Sequence, residues 1–148
     1  KISNDPNWTF IQSRDDNFEY LENKIPNEFD VIYLDSFHNA KHIKKIIYHY
    51  YSKLKNNGFF FIDDISWLPY VKNNYRNNFN CEVNNKETFY ELLEILRSNS
   101  DNLDMYFSFI GSGMCKIIKK KQNQLNEKTK VLSRTFSIKN ALRKILSK

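Results

Sequence analysis

The run FDVIYLDSFH, residues 29–38, opens with six residues that are almost all apolar and turns polar at Asp35. A continuous apolar run of this length is typical of a strand that is buried on both faces, as in a parallel sheet. The run GFFFIDDISW, residues 58–67, has the same form, because an apolar stretch over residues 58–62 is followed by acidic residues. The two runs therefore predict two buried strands that each end in carboxylates.

The segment between these strands has the apolar spacing of an α-helix. The residues of the apolar face are Ala40, Ile43, Ile46, Ile47, Tyr50, Tyr51 and Leu54. Asn39 suits the N-cap position, and Asn56, Asn57 and Gly58 can adopt the left-handed conformation that ends a helix. A strand, a helix and a second strand form a βαβ unit, whose two strands are parallel neighbours.

Weaker patterns precede this unit. A short β-rich run at residues 8–12 predicts a strand. Residues 18–21 then predict a short helix that ends before Pro26.

Other patterns follow the unit. A long Asn-rich loop is predicted over residues 67–85, and it leads to a helix with apolar residues between 89 and 96 and with Asn85 as its cap. Runs at residues 103–110 and 114–118 flank Gly-Ser-Gly, which predicts an antiparallel hairpin.

Length and composition indicate one globular domain. The chain has 148 residues, of which 41% are hydrophobic, so it can bury a sizeable core. Its two cysteines, Cys81 and Cys115, have no CxxC spacing, so we expect neither a zinc site nor a disulfide framework. The expected compartment is the reducing cytoplasm.

The net charge of +6 is unevenly distributed. Residues 119–148 hold ten Lys or Arg and one acid, so this basic tail carries +9 and residues 1–118 carry −3. A mildly acidic body does not suit nucleic acid, which needs Lys and Arg over the binding face, so we expect no nucleic-acid partner.

The tail ends in a predicted short, basic, amphipathic helix. Its apolar residues are Ile138, Ala141, Leu142 and Ile145. Such a helix could lie on an anionic membrane surface, which would place the protein at the inner face of the membrane, or it could dock onto a partner or onto the domain. The alternative is a frayed tail, since isolated helices of this length are marginal.

Carboxylates follow both predicted parallel strands. Asp35 ends the first strand, and Asp63 and Asp64 end the second. Because parallel strands end at the same edge and lie about 4.8 Å apart, we expect the three side chains to converge. Such a cluster repels itself unless a carboxylate is protonated, a lysine neutralises it or a hard divalent cation binds. We favour Mg²⁺, Mn²⁺ or Ca²⁺, the alternative being that each Asp only caps the loop or helix that follows.

Two further candidates lie near this edge. His38 is three residues beyond Asp35, and an unperturbed histidine, with a pKa of about 6.5, suits proton abstraction near neutral pH. The alternative is an exposed loop histidine. Arg14 and Asp15 follow the first predicted strand and could reach a ligand at the same edge, although a turn rich in such residues needs no function.

The order of elements and the two quoted runs resemble the second half of a class I S-adenosylmethionine-dependent methyltransferase. More narrowly, they resemble the small-molecule O-methyltransferases that hold a divalent metal. The resemblance implies an α/β, Rossmann-like sheet, mostly parallel with a C-terminal antiparallel hairpin, that lacks the family's first two strands. It implies a partial methyltransferase domain over residues 1–118, truncated at its N-terminus, and a tail over residues 119–148.

The resemblance also implies roles for individual residues. Asp35 matches the acidic residue that ends the strand before the crossover helix, and it is implied in catalysis, cofactor binding and metal binding. Asp63 and Asp64 match the family's pair of metal-binding residues. His38 occupies the place of a catalytic base in some members.

The implied cofactors are S-adenosylmethionine, beside whose adenine Arg14 and Asp15 would lie, and a divalent cation, Mg²⁺ first. The implied reaction is in-line transfer of the methyl group from the sulfonium to a hydroxyl of a small molecule. The family's glycine-rich loop has no match, so we expect a chain truncated upstream of Lys1 and inactive alone. The alternative function is a non-catalytic α/β binding module with an acidic edge for a metal or phosphate.

Overall fold

The structure is a computed structural model, and it describes residues 6–67 and 79–127. Its elements, in chain order, are α1 (Phe18–Glu22), β1 (Phe29–Leu34), α2 (Ala40–Tyr51), β2 (Leu54–Asp63), α3 (Phe79–Asn99), β3 (Leu103–Ser108) and β4 (Met114–Lys119). The predicted βαβ unit corresponds to β1, α2 and β2, and the predicted hairpin to β3 and β4.

The four strands form one mixed sheet in the order β1-β2-β4-β3. β1 and β2 are parallel, with Leu34 opposite Ile62, so both strands end at the same edge. β4 is antiparallel to β2 on one side and to β3 on the other. The expected α/β class with a C-terminal antiparallel hairpin is therefore confirmed, and one of the three strand pairs in the described sheet is parallel.

The core lies between one face of this sheet and helices α2 and α3. The predicted stripe of α2 is buried there, and Ile43, Ile46 and Ile47 are all 2% exposed or less. Each such side chain contributes about 1.5–3 kcal/mol of burial free energy. Asn39 caps α2 as predicted, because its side-chain oxygen accepts hydrogen bonds from the backbone N–H groups of Lys41 and His42.

Helix α2 ends earlier than its apolar pattern predicted. Leu54 is the first residue of β2 and not the last of the helix, and its side chain is fully buried. Asn57 has a left-handed φ of 62°, but it lies inside the strand, where the register with β1 shifts. Leu54 has the spacing of the helical stripe, but it packs into the core from the following strand. The apolar pattern therefore predicted a helix that is too long.

The side-chain ammonium group of Lys119 lies in the protein interior. Its side chain is fully buried, and its ammonium group donates hydrogen bonds to the backbone carbonyls of Tyr51, at 2.9 Å, of Ser52, at 3.3 Å, and of Leu54. These carbonyls lie where α2 ends, and a cation there is favourable for the helix dipole. Burial lowers the pKa of Lys119. The first residue counted in the basic tail is therefore part of the folded domain.

The strand predicted at residues 8–12 was wrong. The chain there has no regular secondary structure, and Trp8 and Phe10 are 60% and 57% exposed. A β-rich composition forms a strand only beside a partner strand, and no strand of the described sheet pairs with this run.

Helix α3 begins at Phe79, six residues before its predicted cap. Asn85 is an interior helix residue, 2% exposed, whose side chain donates a hydrogen bond to the carbonyl of Ser66 at 2.9 Å. Asn has a low intrinsic helix propensity. The hydrogen bond to Ser66, three residues after β2, stabilises the helical conformation of Asn85. Residues 68–78 of the predicted loop lie outside the described part of the chain.

The second face of the sheet is open, so the prediction that β1 is buried on both faces was wrong. Val31 and Tyr33 are 53% and 55% exposed, and Tyr106 on β3 is 55% exposed. Alternate residues of a strand point to opposite faces, and α2 and α3 cover one of them. A pattern of apolar residues could not distinguish one covered face from two.

Residues 119–127 stay close to the domain. Leu125 packs against the core, and the carbonyl of Asn126 accepts a hydrogen bond from the hydroxyl of Tyr48 at 2.8 Å. The predicted amphipathic helix falls within residues 128–148, which lie outside the described residues. Among the described helices, none has the length and apolarity needed to cross a bilayer.

Candidate functional site

Three side chains converge at the edge where β1 and β2 end. The Nε2 atom of His38 lies 3.0 Å from Oδ2 of Asp64 and 3.9 Å from Oδ1 of Asp35. One ligand atom from each residue lies within 4.8 Å of the others. The side chains of Asp35, His38 and Asp64 are 59%, 31% and 27% exposed, so the group opens to solvent. The sequence predicted that these three residues share one edge, and the structure brings them together.

Asp63 is held apart from this group. Its Oδ1 accepts hydrogen bonds from the hydroxyl of Ser112 and from the backbone N–H of Asp64, both at 2.8 Å. Its Oδ2 accepts one from the hydroxyl of Tyr33, also at 2.8 Å. Burial raises the pKa of Asp63, but these three hydrogen bonds outweigh burial and leave the pKa below its ordinary value. Asp63, predicted with Asp35 and Asp64 as a metal ligand, lies outside the group of three, and its carboxylate accepts these hydrogen bonds.

The two adjacent aspartates point in different directions because the strand ends between them. Asp63 is the last residue of β2 and lies on the open face of the sheet. Asp64 has a left-handed backbone, with φ of 57°. That conformation costs a non-glycine residue about 1 kcal/mol and is found disproportionately at functional sites. The turn directs the Asp64 side chain to His38.

The turn between β3 and β4 packs directly on this strand end. The backbone N–H of Ser66 donates to the carbonyl of Ser112 at 2.8 Å, and that of Ile65 donates to the carbonyl of Gly113 at 3.5 Å. Gly113 has φ of 80°, and a Cβ atom there would lie 2.5 Å from the backbone nitrogen of Ser66. Only glycine fits this approach. The turn therefore forms one wall of the site.

Arg14 and Asp15, the predicted cofactor-binding residues, belong to a second group of charges. Arg14 forms an ion pair with Asp16 at 2.9 Å, and its side chain is 78% exposed. This pair raises the pKa of Arg14 and lowers the pKa of Asp16 to about 2. Asp15 lies 3.0 Å from Nε2 of His42. Asp15 is not a member of the Asp35 group.

Asp15 also lines a groove of about 420 Å³ beside β1. The hydroxyl of Tyr50 donates to the carbonyl of Asp15 at 3.0 Å, which fixes this end of the groove. The other walls are mostly apolar and include Ile11, Leu21, Ile25, Val31, Leu34 and Ile46. The groove has the character of a ligand pocket, with an apolar lining and few polar groups.

Sequence reasoning missed three contributors to these arrangements. His42 had no predicted role at the site, yet its side chain is 9% exposed and contacts Asp15. Its place in the first turn of the predicted helix, three residues after the N-cap Asn39, was a usable signal. Tyr33, two residues before Asp35, and Ser112 gave no signal, because their contacts with Asp63 depend on tertiary structure.

The group of Asp35, His38 and Asp64 has a donor set that a hard divalent cation can use. Carboxylate oxygens are the ligands that Mg²⁺ and Mn²⁺ prefer, and Asp35 and Asp64 each supply one carboxylate. The spread of up to 4.8 Å is slightly wider than the distance of about 4 Å between ligand atoms on opposite sides of Mg²⁺, and it matches the distance of about 5 Å across Ca²⁺. The residues present therefore fit a cation.

Comparisons with known proteins bear on the fold. No family model and no curated protein matches the sequence. Among solved structures, the chain is similar to a caffeoyl-CoA O-methyltransferase-like protein from Staphylococcus aureus, with 19% identity and a TM-score of 0.54 over 74% of this chain and 50% of that chain. The SAH-bound methyltransferase PaMTH1 from Podospora anserina matches with 16% identity and a TM-score of 0.49 over 70% and 47%.

The chain thus spans about half the length of these solved structures. The likeness to the first of them agrees with the parallel pair, the crossover helix and the antiparallel hairpin described above. The chain therefore has the fold of part of a Rossmann-like domain, similar to part of this solved structure.

Proposed function

We propose that the chain supplies the acceptor side of an active site that transfers a methyl group from S-adenosylmethionine to a hydroxyl of a small molecule, assisted by a divalent cation, Mg²⁺ first. The observation that supports this proposal is the convergence of Asp35, His38 and Asp64 in a methyltransferase-type sheet. Ligands of open α/β sheets bind at the carboxyl ends of the strands, which is where this group lies.

Each residue of the group has a distinct proposed role. Asp35 and Asp64, whose carboxylates flank the imidazole, would hold the cation. A bound cation lowers the pKa of a coordinated hydroxyl and stabilises the charge that forms on its oxygen. His38, at the same edge, would accept the proton that the acceptor hydroxyl releases. Arg14 and Asp15 stay the proposed contacts with the adenine, and the groove that Asp15 lines offers an apolar surface for a ring.

Substitution of His38 by Gln tests the role of the proton acceptor. We expect methyl transfer by the natural polypeptide that contains this chain to fall about 10²–10⁴-fold, the usual contribution of a general base. The affinity for Mn²⁺, measured by electron paramagnetic resonance titration, should change little, because both carboxylates remain. His49→Gln is the matched control, since His49 stacks on Phe18 and pairs with Glu22 away from the group.

The outcomes separate the proposed function from its alternative. If His38→Gln and His49→Gln transfer methyl groups equally well, His38 is not the base. If the natural polypeptide binds Mn²⁺ and never transfers a methyl group, the binding-module alternative is correct. Two results together support the cation-assisted reaction. Mg²⁺ displaces bound Mn²⁺, and methyl transfer is lost when a chelator removes the cation and returns when Mg²⁺ is added.

A further inference from the structure

We infer that Asp63 is a positioning residue that does not ligate the cation, and that the β3–β4 turn acts on the cation site through it, by the hydroxyl of Ser112. This inference rests on the proposed cation site. It assigns a role to Ser112 and Tyr33, neither of which belongs to the converging group.

The hydrogen bonds of Asp63 leave its carboxylate little capacity for a cation. A carboxylate oxygen has two lone pairs, and both lone pairs of Oδ1 are used by Ser112 and by the N–H of Asp64. The hydroxyl of Tyr33 uses one lone pair of Oδ2. The three donors come from β1, from the residue after β2 and from the β3–β4 turn, so the carboxylate is fixed from three directions.

The same carboxylate fixes the backbone of Asp64. The N–H of Asp64 donates to Oδ1 of Asp63, and Asp64 has the left-handed conformation that aims its side chain at His38. A carboxylate that rotated freely would hold this N–H less firmly. Because Ser112 and Tyr33 fix the rotation of the carboxylate, they also fix the direction in which Asp64 presents its ligand oxygen.

The β3–β4 turn also holds the chain that follows Asp64. The carbonyl of Ser112 accepts the N–H of Ser66, so one residue holds the chain on both sides of Asp64. Some residues do not touch a metal but hydrogen-bond to its ligands and orient them. Removing such a residue commonly lowers metal affinity 10–100-fold. Ser112 has the geometry of such a residue.

Substitution of Ser112 by Ala tests whether Asp63 positions Asp64 or binds the cation itself, because the two roles predict opposite changes in the affinity for Mn²⁺. If Asp63 positions Asp64, loss of the Ser112 hydroxyl loosens Asp64, and we expect Mn²⁺ to bind the 148-residue chain about tenfold more weakly. If Asp63 is itself a ligand, loss of a competing donor frees its Oδ1, and Mn²⁺ should bind as tightly as before or more tightly.

Three comparisons make the test specific. Ser112→Thr keeps the hydroxyl and should restore the affinity. Ser108→Ala removes a hydroxyl of the same hairpin that accepts from the N–H of Ile110 at 3.5 Å, and it should leave the affinity unchanged. Urea unfolding of each variant reports whether a weaker affinity reflects general destabilisation.

A measurement without metal keeps this inference separate from the proposed function. The amide resonance of Asp64 in nuclear magnetic resonance spectra should shift in Ser112→Ala and Tyr33→Phe, and stay in place in Ser108→Ala. An unshifted resonance in the first two variants would overturn the inference. If the wild-type chain binds no Mn²⁺, the proposed function fails, while the shift of this resonance still decides whether Ser112 positions Asp64.

Discussion

The Asp35→Ala variant is expected to bind Mn²⁺ at least about 100-fold more weakly than the wild-type chain, because it loses one of only two carboxylates in the converging group. Its free energy of unfolding should stay the same or rise slightly. Asp35 is 59% exposed, so little packing is lost, and its removal relieves repulsion with the carboxylate of Asp64. The measurements are an electron paramagnetic resonance titration and urea unfolding of the same samples.

Asp30→Ala is the matched control for this variant. Asp30 lies on β1, which ends just before Asp35. It is 78% exposed and pairs with Lys55, so its removal changes the net charge equally without touching the group. Weaker binding in Asp35→Ala alone indicates direct ligation. Equal weakening in both variants would indicate that the cation responds only to overall charge, and the proposed site would have to be abandoned.

The Gly113→Ala variant is expected to lose about 2–4 kcal/mol of unfolding free energy. A Cβ at this position would lie 2.5 Å from the nitrogen and 2.7 Å from the Cβ of Ser66, and the φ of 80° is unfavourable for alanine. The backbone cannot yield without breaking the bonds from Ile65 and Ser66 to the turn. The affinity of the proposed cation site should therefore fall together with the stability of the fold.

Gly111→Ala provides the comparison within the same turn. Gly111 also has a positive φ, of 62°, but a Cβ there meets nothing within 4 Å. Only the conformational cost of about 1 kcal/mol remains. Equal destabilisation of the two variants, measured by urea unfolding, would show that the contact between Gly113 and Ser66 contributes nothing to stability.

The parts of the fold that sequence reasoning predicted correctly are those with a strong local pattern. The stripe of α2 repeats with the period of a helix, and β1 and β2 are continuous apolar runs. Asp35 and His38 follow the first of these runs. Because parallel strands end at a common edge, chain order alone was enough to bring Asp35 near Asp64.

The parts that could not be predicted depend on contacts between distant segments. Residues 8–12 have the composition of a strand but no partner, and Asn85 is helical because it bonds to Ser66. Asp63 and Asp64 are adjacent and chemically identical, so no local pattern could assign them to different partners. Their partners differ because the backbone turns at Asp64, and because Tyr33 and Ser112 reach Asp63 from distant segments.

Because Lys119 is buried, its reactivity reports how often β4 separates from the end of α2. An amine reacts with acylating reagents only when solvent can reach it, and the described partners of the Lys119 ammonium are three backbone carbonyls. Lys121, two residues later, is exposed. The ratio of acyl label on these two lysines, read from one peptide, would therefore follow how often the end of α2 and β4 separate.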